Sequence, residues 1–252
     1  MTPKERLIFP LDAPDLAAAR ALVDVLAGQV GFFKIGLELF IAAGPEGVRE
    51  IKKISGGRTG LFLDLKLHDI PATVGRAAAA AARLGVDLLT VHGEGGRAMV
   101  EAAKRNSGAA RVLAITVLTS LDLTEETGLA PEYTNPEKLV LLRAKNAVSA
   151  GADGVVCSGR EAAAVRKALG DAALIVTPGI RPAWSVVAGE DQKRIVTPAR
   201  AIRDGADFLV VGRPIRDAPD PAQAALLVVD EIAAAIRDRP DVGARDNLQG
   251  IS

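Results

Sequence analysis

One four-residue joint recurs three times along the chain: Leu84-Gly85-Val86-Asp87, Ala150-Gly151-Ala152-Asp153 and Asp204-Gly205-Ala206-Asp207. Each follows a segment of helical spacing and precedes a short apolar run. Glycine at that point ends a helix in a left-handed turn, a conformation it enters without the steric cost of a Cβ. The apolar residue and the aspartate then lead into a buried strand. A chain that repeats helix stop, turn and strand start is assembled from βα units, and those units imply a parallel sheet.

The short apolar runs predict strands over 7–12, 32–36, 61–66, 87–91, 112–117, 154–156, 174–177 and 208–211. Helical spacing predicts helices over 16–26, 71–84, 97–105, 136–150, 161–169, 198–204 and 221–237, with Pro71 suited to a first helical position and Gly85 to a stop. Eight strands in 252 residues fit one α/β domain, a (β/α)8 TIM barrel, which typically takes about 250 residues. An open doubly wound sheet is the runner-up. No Pro/Gly/Ser linker marks a domain boundary, so residues 1–237 are assigned to the barrel and the polar segment 238–252 to a C-terminal extension. Loops 119–135 and 180–197 stand out by length.

Composition removes several function classes. Lys plus Arg is 31 and Asp plus Glu is 31, so the chain lacks the basic excess of a nucleic-acid partner. With a single cysteine, Cys157, there is no intrachain disulfide, which fits a reducing cytoplasm. Two histidines, His68 and His92, and one cysteine do not make a zinc site of the usual four-ligand kind. No run approaches the roughly 18 apolar residues of a membrane helix, and the N-terminus does not read as a secretory signal. The expectation is a soluble, cytoplasmic protein with no membrane or nucleic-acid partner.

A barrel places its active site at the C-terminal ends of the strands, and here three successive strands end in charge. Strand 1 reaches Asp12, strand 2 carries Lys34, and strand 3 reads Phe62-Leu63-Asp64-Leu65-Lys66 before Leu67-His68-Asp69. Alternation along a strand puts Asp64 and Lys66 on the face of Phe62, and Leu61, Leu63 and Leu65 on the other. The leucine face suits packing against helices, so the charges point into the barrel mouth. Buried charge is costly unless paired. A lysine held between carboxylates keeps its ammonium form, which makes it a proton donor rather than a Schiff-base nucleophile. A carboxylate beside it repels a negative group on a substrate. The combination suits replacement of a carboxylate by hydrogen.

The last two strands end in Val176-Thr177-Pro178-Gly179-Ile180-Arg181-Pro182 and Val210-Val211-Gly212-Arg213-Pro214. Loops after strands 7 and 8 are where barrels commonly bind phosphate. Glycine admits backbone N–H groups close to the oxygens, and arginine adds a charge-assisted fork. His68 and His92 read as hydrogen-bonding histidines at the rim, Cys157 as a small buried apolar residue, and Trp184 as part of the long loop. Gly93-Glu94-Gly95-Gly96 lacks the spacing of a dinucleotide fingerprint.

Asp64-Leu65-Lys66-Leu67-His68-Asp69-Ile70-Pro71 resembles the signature of the orotidine 5′-phosphate decarboxylases. The resemblance runs from about Leu7 to Val228. It takes in Phe33-Lys34-Ile35-Gly36, Thr116-Val117-Leu118-Thr119-Ser120, the segment 177–182, Asp191-Gln192-Lys193-Arg194 and Val211-Gly212-Arg213-Pro214. It implies decarboxylation of orotidine 5′-phosphate to uridine 5′-phosphate in de novo pyrimidine biosynthesis, with no metal and no cofactor. It also implies residue roles. Lys66 protonates C6 of the pyrimidine and Asp64 sits by the substrate carboxylate. Lys34 and Asp12 bind ribose hydroxyls, with Lys34 also in the charged network. Thr119 contacts the base, and Arg181, Gln192, Gly212 and Arg213 hold the phosphate side. Asp69 and Thr73 reach into the neighbouring subunit's site of a homodimer.

Two other readings compete. Sugar-phosphate aldolases and decarboxylases resemble the chain in the Asp-x-Lys-x-x-Asp strand, but use Mg2+ and carry an acid at the position of Lys34. A lysine there removes a hard-cation ligand and adds repelling charge. A non-catalytic barrel that only binds a nucleotide or a protein has no need of an array of paired lysines and aspartates.

Overall fold

The computed structural model describes residues 1–118, 135–185 and 196–238. In chain order the elements are β1 (Leu7–Pro10), α1 (Leu16–Leu26), β2 (Phe32–Ile35), α2 (Leu37–Ile54), β3 (Gly60–Leu67), α3 (Pro71–Arg83), β4 (Leu88–His92), α4 (Arg97–Asn106), β5 (Arg111–Ile115), α5 (Pro136–Ser149), β6 (Gly154–Val156), α6 (Ala162–Leu169), β7 (Leu174–Thr177), α7 (Pro198–Arg203), β8 (Phe208–Val210), α8 (Arg213–Arg216) and α9 (Pro221–Arg237). The strands pair in parallel in sequence order, and β8 closes on β1. The expected (β/α)8 barrel is therefore the fold. No helix among the described residues is long and apolar enough to cross a membrane.

Strand alternation separates two apolar layers. Ile8, Phe32, Phe62, Leu88, Leu113, Leu174, Val176, Phe208 and Val210 fill the barrel. Phe32 and Phe208 meet there edge to face, 5.4 Å between centroids and 89° between planes. Leu61, Leu63, Val91 and Val155 belong instead to the larger cluster shared with the helices. Fully burying side chains of this size stabilises a fold by about 1.5–3 kcal/mol each, so the plug supplies a rigid floor under the mouth.

The repeated joint behaves as one device. Gly85, Gly151 and Gly205 take φ of 68°, 92° and 99°. Oδ2 of Asp87, Asp153 and Asp207 then accepts the backbone N–H of Leu61, Val112 and Ile175, each at the start of the preceding strand, at 2.7, 2.7 and 2.8 Å. The backbone N–H groups of the same aspartates donate back to the carbonyls of Leu61, Val112 and Ile175. Adjacent strands are thus clamped in register at the end of the barrel opposite the mouth.

The helical spacing predicts no element between β2 and β3, yet α2 fills that connection. Its spacing is hidden because Gly44, at φ 59°, breaks the helix just before Pro45. The one-turn α8 after β8 is also new. Helix α9 ends at Arg237, as expected, and its C-cap residue Asp238 pairs with Arg203 at 2.8 Å. The rest of segment 238–252 lies outside the described residues.

Candidate active site

The mouth is organised by an irregularity in β3. Against β4, Phe62 and Leu63 pair with Leu88 and Leu89, but Leu67 pairs with Val91, so β3 carries two extra residues there. Lys66 lies in this bulge at φ 51°, the one non-glycine residue with positive φ among the described residues. Left-handed backbone costs a residue with a side chain roughly 1–3 kcal/mol and gathers at functional sites. Thr90 of β4 holds the bulge from the other side. Its hydroxyl accepts the Lys66 N–H at 2.9 Å and donates to Asp64 Oδ1 at 2.9 Å. Thr90 is fully buried, and a hydroxyl there must be used in full.

Asp64 thereby presents Oδ2 to two ammonium groups, Lys66 Nζ at 2.9 Å and Lys34 Nζ at 3.5 Å. Lys34 also reaches Asp12 Oδ1 at 3.4 Å. The result is a row of alternating sign: Asp12, Lys34, Asp64, Lys66. Side-chain exposure is 54% for Asp12 and 31% for Lys66, but 13% for Lys34 and 11% for Asp64. The two inner groups interact where water screens least.

The row borders a cavity of about 340 Å³. Across it lie Pro178, Gly179, Ile180 and Arg181 after β7, and Gly212, Arg213 and Pro214 at β8 and α8. The backbone of Arg181 donates to Val196 O at 3.1 Å, which ties the two described ends of the β7–α7 loop together. A Cβ on Gly212 would lie 2.9 Å from Pro10 Cγ, so only glycine lets β8 turn this close to β1. One end of the cavity thus offers paired carboxylates and ammoniums, and the other offers two guanidinium side chains beside glycine backbone. Two guanidinium side chains at one end of a half-buried cavity can offer charge-assisted hydrogen bonds to an anionic group.

Of the residues expected from the sequence, the cavity brings together Asp12, Lys34, Asp64, Lys66, Arg181, Gly212 and Arg213. Asp69 and Thr73 are not among its lining residues. Asp69 is exposed and accepts the N–H of Ile70 at 2.6 Å, and Thr73 lies in the first turn of α3. Thr119 and Gln192 fall outside the described residues. Cys157 is buried, as expected, and burial pushes its thiol up. It also touches the cavity wall. Trp184 is 46% exposed. Thr90 has no charge or motif to single it out in the sequence. Only the alternation Leu88-Leu89-Thr90, which turns its hydroxyl inward, carries a signal. A larger groove of about 520 Å³ between α4 and α5 touches none of these groups.

The model of the Orotidine 5′-phosphate decarboxylase / HUMPS family matches residues 5–228. An orotidine 5′-phosphate decarboxylase of Anaeromyxobacter sp. (strain K) is 54% identical over 228 residues, covering 89% of this chain and 97% of its own. That of Moorella thermoacetica is 50% identical over 244 residues, covering 92% and 94%. The crystal structure of orotidine 5′-phosphate decarboxylase from Lactobacillus acidophilus superimposes with a TM-score of 0.76 at 34% identity, over 90% of this chain and 98% of that one. The match spans every strand of the barrel and both halves of the mouth, so the chain belongs to the orotidine 5′-phosphate decarboxylase / HUMPS family.

Proposed function

We propose that the chain is a cytoplasmic, homodimeric carboxy-lyase that converts orotidine 5′-phosphate to uridine 5′-phosphate by chemistry that uses no metal and no cofactor. The observation that carries this reading over a metal-dependent sugar-phosphate reaction is Lys34, whose ammonium lies 3.5 Å from Asp64 Oδ2. A divalent cation seated on Asp64 would have to displace or repel that charge. The names of the relatives supply the substrate.

In this reading the phosphate lies against Arg181, Arg213 and the backbone at Gly212, with Gln192 on the same side. Lys34 and Asp12 take the ribose hydroxyls, and Thr119 meets the base. The pyrimidine carboxylate then faces Asp64. Two anions at short range in a poorly screened site repel each other, and breaking the bond between C6 and the carboxylate carbon relieves that repulsion. The bonding electron pair stays on C6 and CO2 departs. Lys66 delivers its ammonium proton to C6 and later recovers one from solvent. Thr90 holds Asp64 and the backbone of Lys66, so both stay aimed at the same atom. Asp69 and Thr73 complete the partner subunit's site.

The test follows the ultraviolet absorbance of orotidine 5′-phosphate on mixing with the purified protein in excess EDTA. The expected result is loss of the substrate band at an unchanged rate. A rate that requires added Mg2+, or no loss at all, overturns the proposal.

A further inference from the structure

We propose that His68, His92 and Glu94 form a binding site for one divalent transition-metal ion of the zinc class, separate from the Lys34–Asp64–Lys66 row. The three come from neighbouring strand ends: His68 follows β3, His92 ends β4, and Glu94 sits in the 3-10 turn Gly93–Gly95. Their ligand atoms all lie within 4.8 Å of one another. One carboxylate oxygen, Glu94 Oε1, is 3.2 Å from His92 Nδ1 and 3.9 Å from His68 Nδ1. Two donors on a tetrahedral ion with bonds of about 2.0–2.1 Å sit about 3.3 Å apart. The His92–Glu94 pair is already so spaced. The His68 side chain is 45% exposed and free to cover the short remaining distance.

Two further observations point to a ligand. His92 Nδ1 is buried, and although it lies beside Glu94, no described residue hydrogen-bonds it. A buried, unpartnered nitrogen is costly, and in native proteins it calls for a partner. Glu94 is oriented from behind: Arg143 grips Oε2 and also donates from Nη1 to Thr116 O at 2.8 Å. That arrangement turns Oε1 toward the imidazoles, as outer-shell partners of metal ligands do. The two rings stack with centroids 5.1 Å apart and 23° between planes.

Three protein ligands leave one coordination position for water. The Arg143 charge beside Glu94 repels a cation, so the site is a modest binder. Its effect is to pin the turn from His68 to Ile70 against the end of β4. No step of the decarboxylation passes through it, and the inference stands whether or not that reading holds.

The experiment titrates the full-length protein, freed of metal by EDTA and dialysis, with Zn2+ by calorimetry, and with Co2+ followed by visible absorption. One ion per chain and a tetrahedral Co2+ spectrum are expected. His68→Gln, on an exposed side chain that does not threaten folding, and Glu94→Gln should each weaken binding at least tenfold and change the spectrum. Asp64→Asn should leave both intact. The proposal is overturned by the absence of stoichiometric binding, by binding that survives His68→Gln and Glu94→Gln, or by loss on Asp64→Asn instead.

Discussion

Lys66 joins a strained backbone to a charged side chain, and the two properties separate by substitution. Its φ of 51° suits glycine better than any residue with a Cβ. Under the proposed mechanism, Lys66→Gly and Lys66→Ala should both abolish turnover, because either removes the ammonium assigned to protonate C6. Product-nucleotide affinity should change little in both, since the proposed phosphate and ribose contacts lie elsewhere in the cavity. In denaturant titrations, however, Lys66→Gly should be more stable than Lys66→Ala by about 1 kcal/mol. Equal stabilities would mean the left-handed conformation carries no strain, and turnover at the native rate would mean Lys66 is not the acid. Thr90 makes the companion case. Thr90→Val keeps the shape but strips the Lys66 N–H of its acceptor and Asp64 Oδ1 of its donor. It should cost about 1–3 kcal/mol in stability and reduce kcat along with it. A variant with native kcat would show that Asp64 and Lys66 are held without Thr90. The charges were legible in the sequence, because strand alternation alone brings Asp64 and Lys66 to the face of Phe62. The bulge was not, because alternation assumes an unbroken register, and with the bulge went the role of Thr90.

At the scale of elements, the three Gly-x-Asp joints look alike in sequence but differ in what the carboxylate meets. Asp207 pairs with Arg166 at 2.5 Å, and the two side chains are only 7% and 11% exposed. Asp153 takes Lys104 at 2.7 Å, with exposures of 24% and 38%. Asp87 holds the Leu61 N–H at 2.7 Å with no cation partner among the described residues. Removing one member of a buried ion pair strands the other, at a cost of about 3–5 kcal/mol, whereas a well-solvated pair contributes far less. Asp207→Ala should therefore be the most destabilising of the three alanine variants, by about 3–5 kcal/mol. Asp153→Ala should lose less, since water can take over the ammonium of Lys104. Chemical denaturation of the three variants checks the order, and equal losses would assign the whole effect to the shared backbone hydrogen bond. Each folded variant should retain native kcat, because the joints lie at the end of the barrel away from the cavity. These joints, and the bounds of α1, α9, β6 and β7, were readable because turn chemistry and apolar spacing agree there. Helix α2 was not, since Gly44 and Pro45 interrupt the local pattern that a packed neighbour restores.

At the scale of the whole molecule, a single chain leaves Asp69 without an obvious task. Its carboxylate caps the N–H of Ile70 at 2.6 Å, outside the cavity lined by Asp64 and Lys66. Ile70 beside it is 65% exposed, a large apolar side chain facing outward at the rim. A partner related by a two-fold axis would bury Ile70 and receive Asp69 and Thr73, each chain giving the contact it takes. The sequence suggested this sharing in two ways: Asp69 falls beyond the end of strand 3, where a short turn hardly brings it back to the mouth of Asp64 and Lys66, and the family resemblance implies it. Complementation decides the matter. Lys66→Ala and Asp69→Ala homodimers should each be nearly inactive. Mixing them under conditions of subunit exchange gives hybrids with one doubly damaged site and one site that joins intact Lys66 of one chain to intact Asp69 of the other. With random pairing half the dimers are hybrids, so activity should rise to about a quarter of the native value. Different affinity tags on the two chains allow hybrids to be isolated and exchange to be verified. Should verified hybrids remain as inactive as their parents, Asp69 serves the site of its own chain, and the outward exposure of Ile70 has another cause.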